Sequence, residues 1–259
     1  QSRGLGDVYK RQGLEYGGTL YNRTTDPRHK ELVQEYFSQL RDSGFLKVQT
    51  MQQYCSISTD GITKFLPDRY VEGKCPVCGS DDARGDQCDD CGSTYESIEL
   101  INPRSKMDPS AKIEVRDTDH FFFQLDQFQD ELESHSLTKQ KIWKPNVRAM
   151  TKNWLNMELR PRAVTRDMEW GIRVPIPDDD WDCKRIYVWF EAVQGYLTCS
   201  RIWAENFSNN DDDWKKWWVK SDEGIEPKHI YFMGKDNIPF HTVIWPSIIM
   251  GLNSANSGN

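Results

Sequence analysis

Four cysteines fall in two CxxC pairs, Cys75-Pro-Val-Cys78 and Cys88-Asp-Asp-Cys91, with nine residues between them. Each CxxC brings two thiolates to one ion from a tight turn, and Gly79 and Gly92 supply the backbone freedom such turns need. Four thiolates complete a tetrahedron around zinc and leave no open position, so the expected site is structural, not catalytic. Another tetrahedral-thiolate metal or a redox pair is the alternative. Between residues 73 and 92 only Lys74 and Arg84 are basic, against five Asp, so this segment is a poor phosphate binder. Cys55, Cys183 and Cys199 are scattered and read as buried inert thiols.

A second constellation lies about a hundred residues later. "HIYFMGKDNIPFH" sets Gly234-Lys235-Asp236 where a strand should end and a helix begin, the edge at which open α/β sheets bind ligands. Gly234 permits close approach, Asp236 can accept from ribose hydroxyls, and the helix N-terminus can face an anion. Taken alone, the tripeptide reads equally as an exposed turn. His241 and Trp245, four apart, share a helical face with Phe240 and Ile244 beside them. "YVWFEAVQGY" repeats the geometry, with Trp189 ending a strand and Tyr196 a turn or two later. Together these make an aromatic pocket with two polar tips, suited to a thioether whose sulfur a Tyr hydroxyl could orient. A plain aromatic core is the competing reading.

The elements that must position these groups follow from periodicity. A helix is expected from Asp26, with Pro27 first and Leu32, Val33, Tyr36, Phe37 and Leu40 inward, ended by Gly44. Short strands with turn signals such as Asp60-Gly61 follow, then strands at 112–116 and 121–125, then helical patterning from Asp126 to Leu159, broken by Pro161. Beyond residue 162 strands at 184–190 and 228–234 alternate with helices, which predicts a parallel, doubly wound sheet. The fold class is therefore α/β, a doubly wound parallel sheet interrupted by a cysteine-bearing insertion. The expected organisation is 13–48 as the end of a first half, 49–162 as the insertion and 163–259 as the second half. Residues 1–12, "QSRGLGDVYKRQ", read as a non-native scar, and 251–259 has loop composition.

The net charge of −7 argues against broad nucleic-acid binding by the whole chain but leaves room for a local basic surface. No apolar run is long enough to span a membrane. Paired CxxC units without a signal pattern fit a reducing cytoplasm.

"FLPDRYVEGKCPVCGSDDARGDQCDDCG", "TRDMEWGIRVP", "IYVWFEAVQGYL" and "FMGKDNIPFHTVIWPSIIMG", in this order, resemble the methionyl-tRNA synthetases, class I enzymes with a Rossmann-type catalytic domain and a zinc-bearing connective peptide. The resemblance implies one structural Zn2+ on Cys75, Cys78, Cys88 and Cys91. It implies a methionine pocket of Trp189, Ala192, Val193, Tyr196, Phe240, His241, Ile244 and Trp245. ATP, with Mg2+, would meet Arg166, Gly234, Lys235 and Asp236, and the acceptor end of tRNA(Met) would be the second substrate. Glu191, Val193 and Gln194 depart from the family pattern at the pocket's edge. The His-Ile-Gly-His and Lys-Met-Ser-Lys-Ser signatures do not occur within these 259 residues, so the chain reads as an internal fragment, inactive alone. Competing readings are another class I synthetase of the branched-chain group, and a non-catalytic zinc-ribbon module.

Overall fold

The computed structural model describes residues 20, 22–57, 63–66, 70–85, 88, 90–91, 93, 95, 97–219 and 227–257. Helix α1 (Pro27–Asp42) starts as its sequence dictates: the Asp26 carboxylate accepts from the Arg28 backbone N–H at 3.0 Å and Pro27 stands at the first position. Gly44, at φ +80°, turns the chain out of the helix. Leu32, Val33, Tyr36, Phe37 and Leu40 are buried, a burial of about 2 kcal/mol each.

Strand β1 (Leu46–Ile57) then leads to β2 (Thr63–Phe65), β3 (Val71–Lys74), β4 (Ala83–Arg84), β5 (Ile101–Ser105) and β6 (Lys112–Phe123). β1 and β6 pair antiparallel along their whole length, from Leu46 opposite Phe123 to Ile57 opposite Lys112. The two strands expected at 112–116 and 121–125 are thus one. Asp117 and Asp119, which look like turn residues, are held across the ladder by Gln52 and Thr50 at 3.3 and 2.6 Å. Asp60 and Gly61 lie outside the described residues.

Helices α2 (Gln129–Thr138) and α3 (Pro145–Asn156) precede β7 (Arg162–Ala163), β8 (Thr165–Asp167) and β9 (Lys184–Ile186). Short α4 (Val188–Glu191), α5 (Gly195–Phe207) and α6 (Lys215–Trp218) follow, and a π-helical turn, Phe240–Ile244, opens α7 (Trp245–Ser257). α7 carries helix through most of the stretch expected to be loop.

The described strands form three sheets, ordered β2-β1-β6-β7, β4-β3-β5 and β8-β9, and every pairing is antiparallel. The mixed α/β architecture is as expected; parallel pairing is not found among the described residues. Of 184–190 only Lys184–Ile186 is strand, because Tyr187 turns the chain directly into α4. The 228–234 segment is not strand at all. It runs exposed, Ile230 at 64% and Phe232 at 96%, because no described strand lies beside it to take its backbone hydrogen bonds.

Two apolar cores result. The larger gathers α1, the end of β6, α2, α3, α4, α5 and α7 around Phe37, Phe123, Phe190 and Trp245. The smaller, around Tyr54, Leu66, Val71, Cys75, Ala83, Cys88 and Leu100, belongs to the cysteine-bearing unit. A buried polar knot ties β6 to the β8-β9 hairpin. The Asp167 carboxylate accepts from Lys184 Nζ at 2.8 Å, from His120 Nε2 at 3.1 Å and from Thr118 Oγ1 at 2.8 Å. No helix among the described residues is long and apolar enough to cross a membrane.

Candidate functional site

The cysteines meet as their spacing requires. The Sγ atoms of Cys75, Cys78, Cys88 and Cys91 all lie within 4.8 Å of one another, with Cys75–Cys91 at 3.9 Å and Cys78–Cys88 at 3.6 Å. Thiolates about 2.3 Å from a central zinc stand about 3.8 Å apart at tetrahedral angles, so the set fits a single zinc; a disulfide would need about 2.05 Å. The backbone N–H groups of Val77 and Cys78 both point at Cys75 Sγ from 3.4 Å, stabilising thiolate charge. Gly79, at φ +79°, makes the turn its position predicted, and its N–H donates to the Cys75 carbonyl at 3.0 Å. Gly92 lies outside the described residues. Of the scattered cysteines, Cys55 is buried, whereas Cys183 is exposed, its thiol 3.9 Å from the Asp167 carboxylate.

The aromatic group also assembles. The rings of Trp189 and Phe240 stack at 4.9 Å with 20° between planes. Tyr196 Oη lies 2.6 Å from His241 Nε2, and His241 Nδ1 lies 2.8 Å from the Asn237 carbonyl. That carbonyl can only accept, so Nδ1 carries the proton and Nε2 accepts the phenolic O–H. Burial lowers the His241 pKa and raises that of Tyr196, so both stay neutral near pH 7. Val193, Ile244 and Trp245 are buried beneath this surface, and Ala192 is half-buried beside it. The π-helical turn carries Phe240 and His241 and widens the helix where the side chains must diverge.

Three members were missed. Tyr231 packs against Tyr196 at 4.9 Å and against His241 at 5.3 Å, making it part of the same wall. His229 sits edge-on to Trp218 at 4.5 Å, and Trp218 in turn to Trp245 at 5.7 Å. His229 Nε2 meets the Trp217 carbonyl at 2.7 Å, which leaves Nδ1 to accept from Tyr231 Oη at 3.2 Å. The signal was present: His229 and Tyr231, two apart on an extended segment, face one side.

Gly234, Lys235 and Asp236 are exposed, and Lys235–Asn237 forms a single 3-10 turn before the helix. Gly234 has φ −68° and a side chain there would meet nothing within 4 Å, so the fold itself does not demand glycine. Arg166 is held by other groups: its guanidinium covers the Tyr187 ring at 4.4 Å and donates to the carbonyls of Ala163 and Thr165.

The departures at the edge have structural partners. Glu191 Oε2 lies 2.6 Å from Nε2 of the fully buried His29, whose Nδ1 meets Thr198 Oγ1 at 2.8 Å. This joins α1 to α4 and α5. Gln194 donates to the Phe190 carbonyl at 3.1 Å.

The family model for class I tRNA synthetases (M) matches residues 3–258. The chain belongs to that family. The methionine–tRNA ligase of Chloroflexus aggregans is 45% identical over 95% of this chain, and that of Picrophilus torridus 45% over 97%. The chain spans only 39% and 36% of those two relatives. Among solved structures, Mycobacterium tuberculosis methionyl-tRNA synthetase in complex with methionyl-adenylate aligns with TM-score 0.61 and 19% identity, over 96% of this chain and 40% of that one. The family's fold is therefore the fold of this chain.

Proposed function

We propose that this chain is the methionine- and zinc-binding portion of a methionine–tRNA ligase. The observation that carries the reading is the Tyr196–His241 hydrogen bond, set at 2.6 Å among Trp189, Phe240 and Tyr231. A thioether gains from aromatic contact and has no hydrogen-bond donor. The Tyr196 proton is committed to His241, so no O–H is left to orient the thioether sulfur, itself only a weak acceptor, and the surrounding rings supply the contact. In this reading Trp189, Ala192, Val193, Tyr196, Phe240, His241, Ile244 and Trp245 enclose the methionine side chain. Gly234, Lys235 and Asp236 receive the ATP ribose and Arg166 its phosphates, with Mg2+ accompanying the nucleotide.

The parent's reaction is attack of the methionine carboxylate on the ATP α-phosphorus, expelling pyrophosphate. The resulting methionyl-adenylate then gives its acyl group to the 3′ end of tRNA(Met). Such chemistry depends on positioning and charge stabilisation. Cys75, Cys78, Cys88 and Cys91 hold one zinc as a brace. The separate small core around the knuckle supports its assignment to a connective peptide within 49–162, between the end of a first Rossmann half (13–48) and a second (163–259). A cytoplasmic setting suits both free thiols and substrates.

Equilibrium dialysis of the purified chain tests the reading. Methionine should bind in preference to leucine and isoleucine; equal affinities, or none, would overturn it. The chain alone should form no methionyl-adenylate, since neither signature string occurs in it.

A further inference from the structure

Charge is distributed very unevenly. Residues 139–162, "KQKIWKPNVRAMTKNWLNMELRPR", contain seven Lys and Arg against one acidic residue, in a chain of net charge −7. Within them Lys144, at the cap of α3, and Arg148 and Lys152, along it, recur every four residues and are all exposed. They form one stripe about 12 Å long on one helix face. None of the three has an ion pair among the described residues. The exposed cations of α6, by contrast, are matched: Lys215 with Asp212 at 2.8 Å and Lys216 with Asp213 at 2.6 Å. Arg148 also donates to the Gln140 carbonyl at 2.9 Å, which folds the segment bearing Lys139 and Lys141 back over the start of the helix. Trp143, half-buried with its ring 6.0 Å from that of His135, stands between Lys141 and Lys144 in the sequence.

We infer that this face of α3, with Lys144, Arg148 and Lys152 at its centre and Lys141 and Trp143 at its edge, docks the phosphate backbone of RNA. An unmatched row of cations needs a polyanion that can lie along it, and stacked bases suit the adjoining ring. An anionic membrane is the weaker match, because the apolar side of α3 is already used inside the protein, with Leu155 and Thr151 buried. The cysteine knuckle is excluded as the docking face by its exposed Asp81, Asp82 and Asp90. The choice of RNA rests on the proposed function, which this inference deepens by naming the docking surface; because that surface is separate from the aromatic site, methionine binding that survives a loss of RNA docking tells the two apart.

The test uses the intact chain and a labelled RNA stem-loop with a single-stranded 3′ tail, read by fluorescence anisotropy across salt concentrations. Three phosphate contacts predict that affinity falls about twenty- to fortyfold between 50 and 200 mM salt. The triple variant Lys144→Gln/Arg148→Gln/Lys152→Gln should bind at least tenfold more weakly at low salt and lose about 0.7–0.9 of log–log slope per residue. Lys152→Gln alone should remove one such step, so the result does not hinge on the triple variant folding. Lys215→Gln/Lys216→Gln should bind as the parent does. Unchanged RNA affinity or slope in the Lys152 and triple variants would overturn the assignment. So would binding to phosphatidylserine vesicles with none to RNA.

Discussion

The Asp167 knot offers the sharpest quantitative test of the structure. Asp167, Lys184 and His120 are 7%, 6% and 0% exposed, so their mutual contacts are not screened by water. His120 Nε2 faces the Asp167 carboxylate, which can only accept, so Nε2 carries the proton and Nδ1 of the neutral ring accepts from Thr165 Oγ1 at 3.0 Å. Burial lowers the His120 pKa in the same sense. Although burial alone would raise the Asp167 pKa, hydrogen bonds from His120 and Lys184 outweigh it and lower the value from 3.8 to about 2. That difference corresponds to about 2 kcal/mol favouring the folded state with Asp167 ionised. Because the folded-state pKa is depressed, this stability is fully present above about pH 4 and is lost as pH falls toward 2.

Asp167→Asn removes the charge but keeps the shape, leaving the Lys184 ammonium buried beside an amide. Stranding a buried ion costs about 3–5 kcal/mol. In a chain of this size the midpoint of thermal unfolding should drop by about 6–15 °C. The variant's stability should also fall less steeply than the parent's between pH 4 and pH 2, keeping only the decline from carboxylates held low elsewhere, such as Asp26 and Asp213. Adding Lys184→Met should restore about 1–3 kcal/mol, since neither charge is then left without a partner. Urea unfolding followed by circular dichroism reads all three. A loss below about 1 kcal/mol for Asp167→Asn, with the parent's acid dependence retained, would refute the argument that this knot is dry and charged.

Other expectations follow from single features. Gly73→Ala would set a Cβ 3.0 Å from the Ile101 carbonyl oxygen and 3.2 Å from Pro103 Cα, both backbone, so a loss of about 1–3 kcal/mol is expected in thermal unfolding; no loss would contradict the β3-β5 packing. Chelating the metal should open the knuckle to protease while the larger core keeps its helical signal, because the two cores share no residue; simultaneous loss of both would contradict this. Metal analysis should find one ion per four cysteines. Tyr196→Phe should leave His241 Nε2 without its donor and loosen the wall, weakening methionine binding about two- to tenfold, measured by dialysis. Methionine sulfoxide should bind at least about tenfold more weakly than methionine, because its oxygen would face phenolic lone pairs; comparable affinities would argue against the Tyr196–His241 proton assignment.

What the sequence made legible was local. Asp26-Pro27 and Gly44 mark the ends of α1 because capping and positive φ are decided within a few residues. The CxxC spacing gave the knuckle for the same reason. Pairing was harder to read. "DTD" within β6 looks like a turn until Gln52 and Thr50 are seen opposite it. "HIYFMG" has strand composition, yet a strand exists only where a partner does, and its residues Tyr231 and His229 serve the aromatic wall from an unpaired segment. Glu191 looked like a departure at the pocket edge. Its partner His29 lies far back in the sequence, and nothing local announces the contact.

The β1-β6 ribbon has a mechanical consequence. Twelve paired residues at about 3.4 Å each make an arm about 40 Å long. Among the described residues β7 pairs with it at Phe122 and Phe123 and β2 at Cys55 to Ile57; between them the ribbon is two strands wide, and the Asp167 knot grips it at Thr118 and His120. A bend of five degrees just beyond the knot would carry the far end, about 20 Å on, through about 1.7 Å by simple leverage. The knuckle's reach is thus set by twist and stiffness in the ribbon beyond the knot, at positions such as Gln52, opposite Asp117, that touch neither zinc ligands nor aromatic wall. Substitution there can retune where the metal sits while leaving both sites chemically intact.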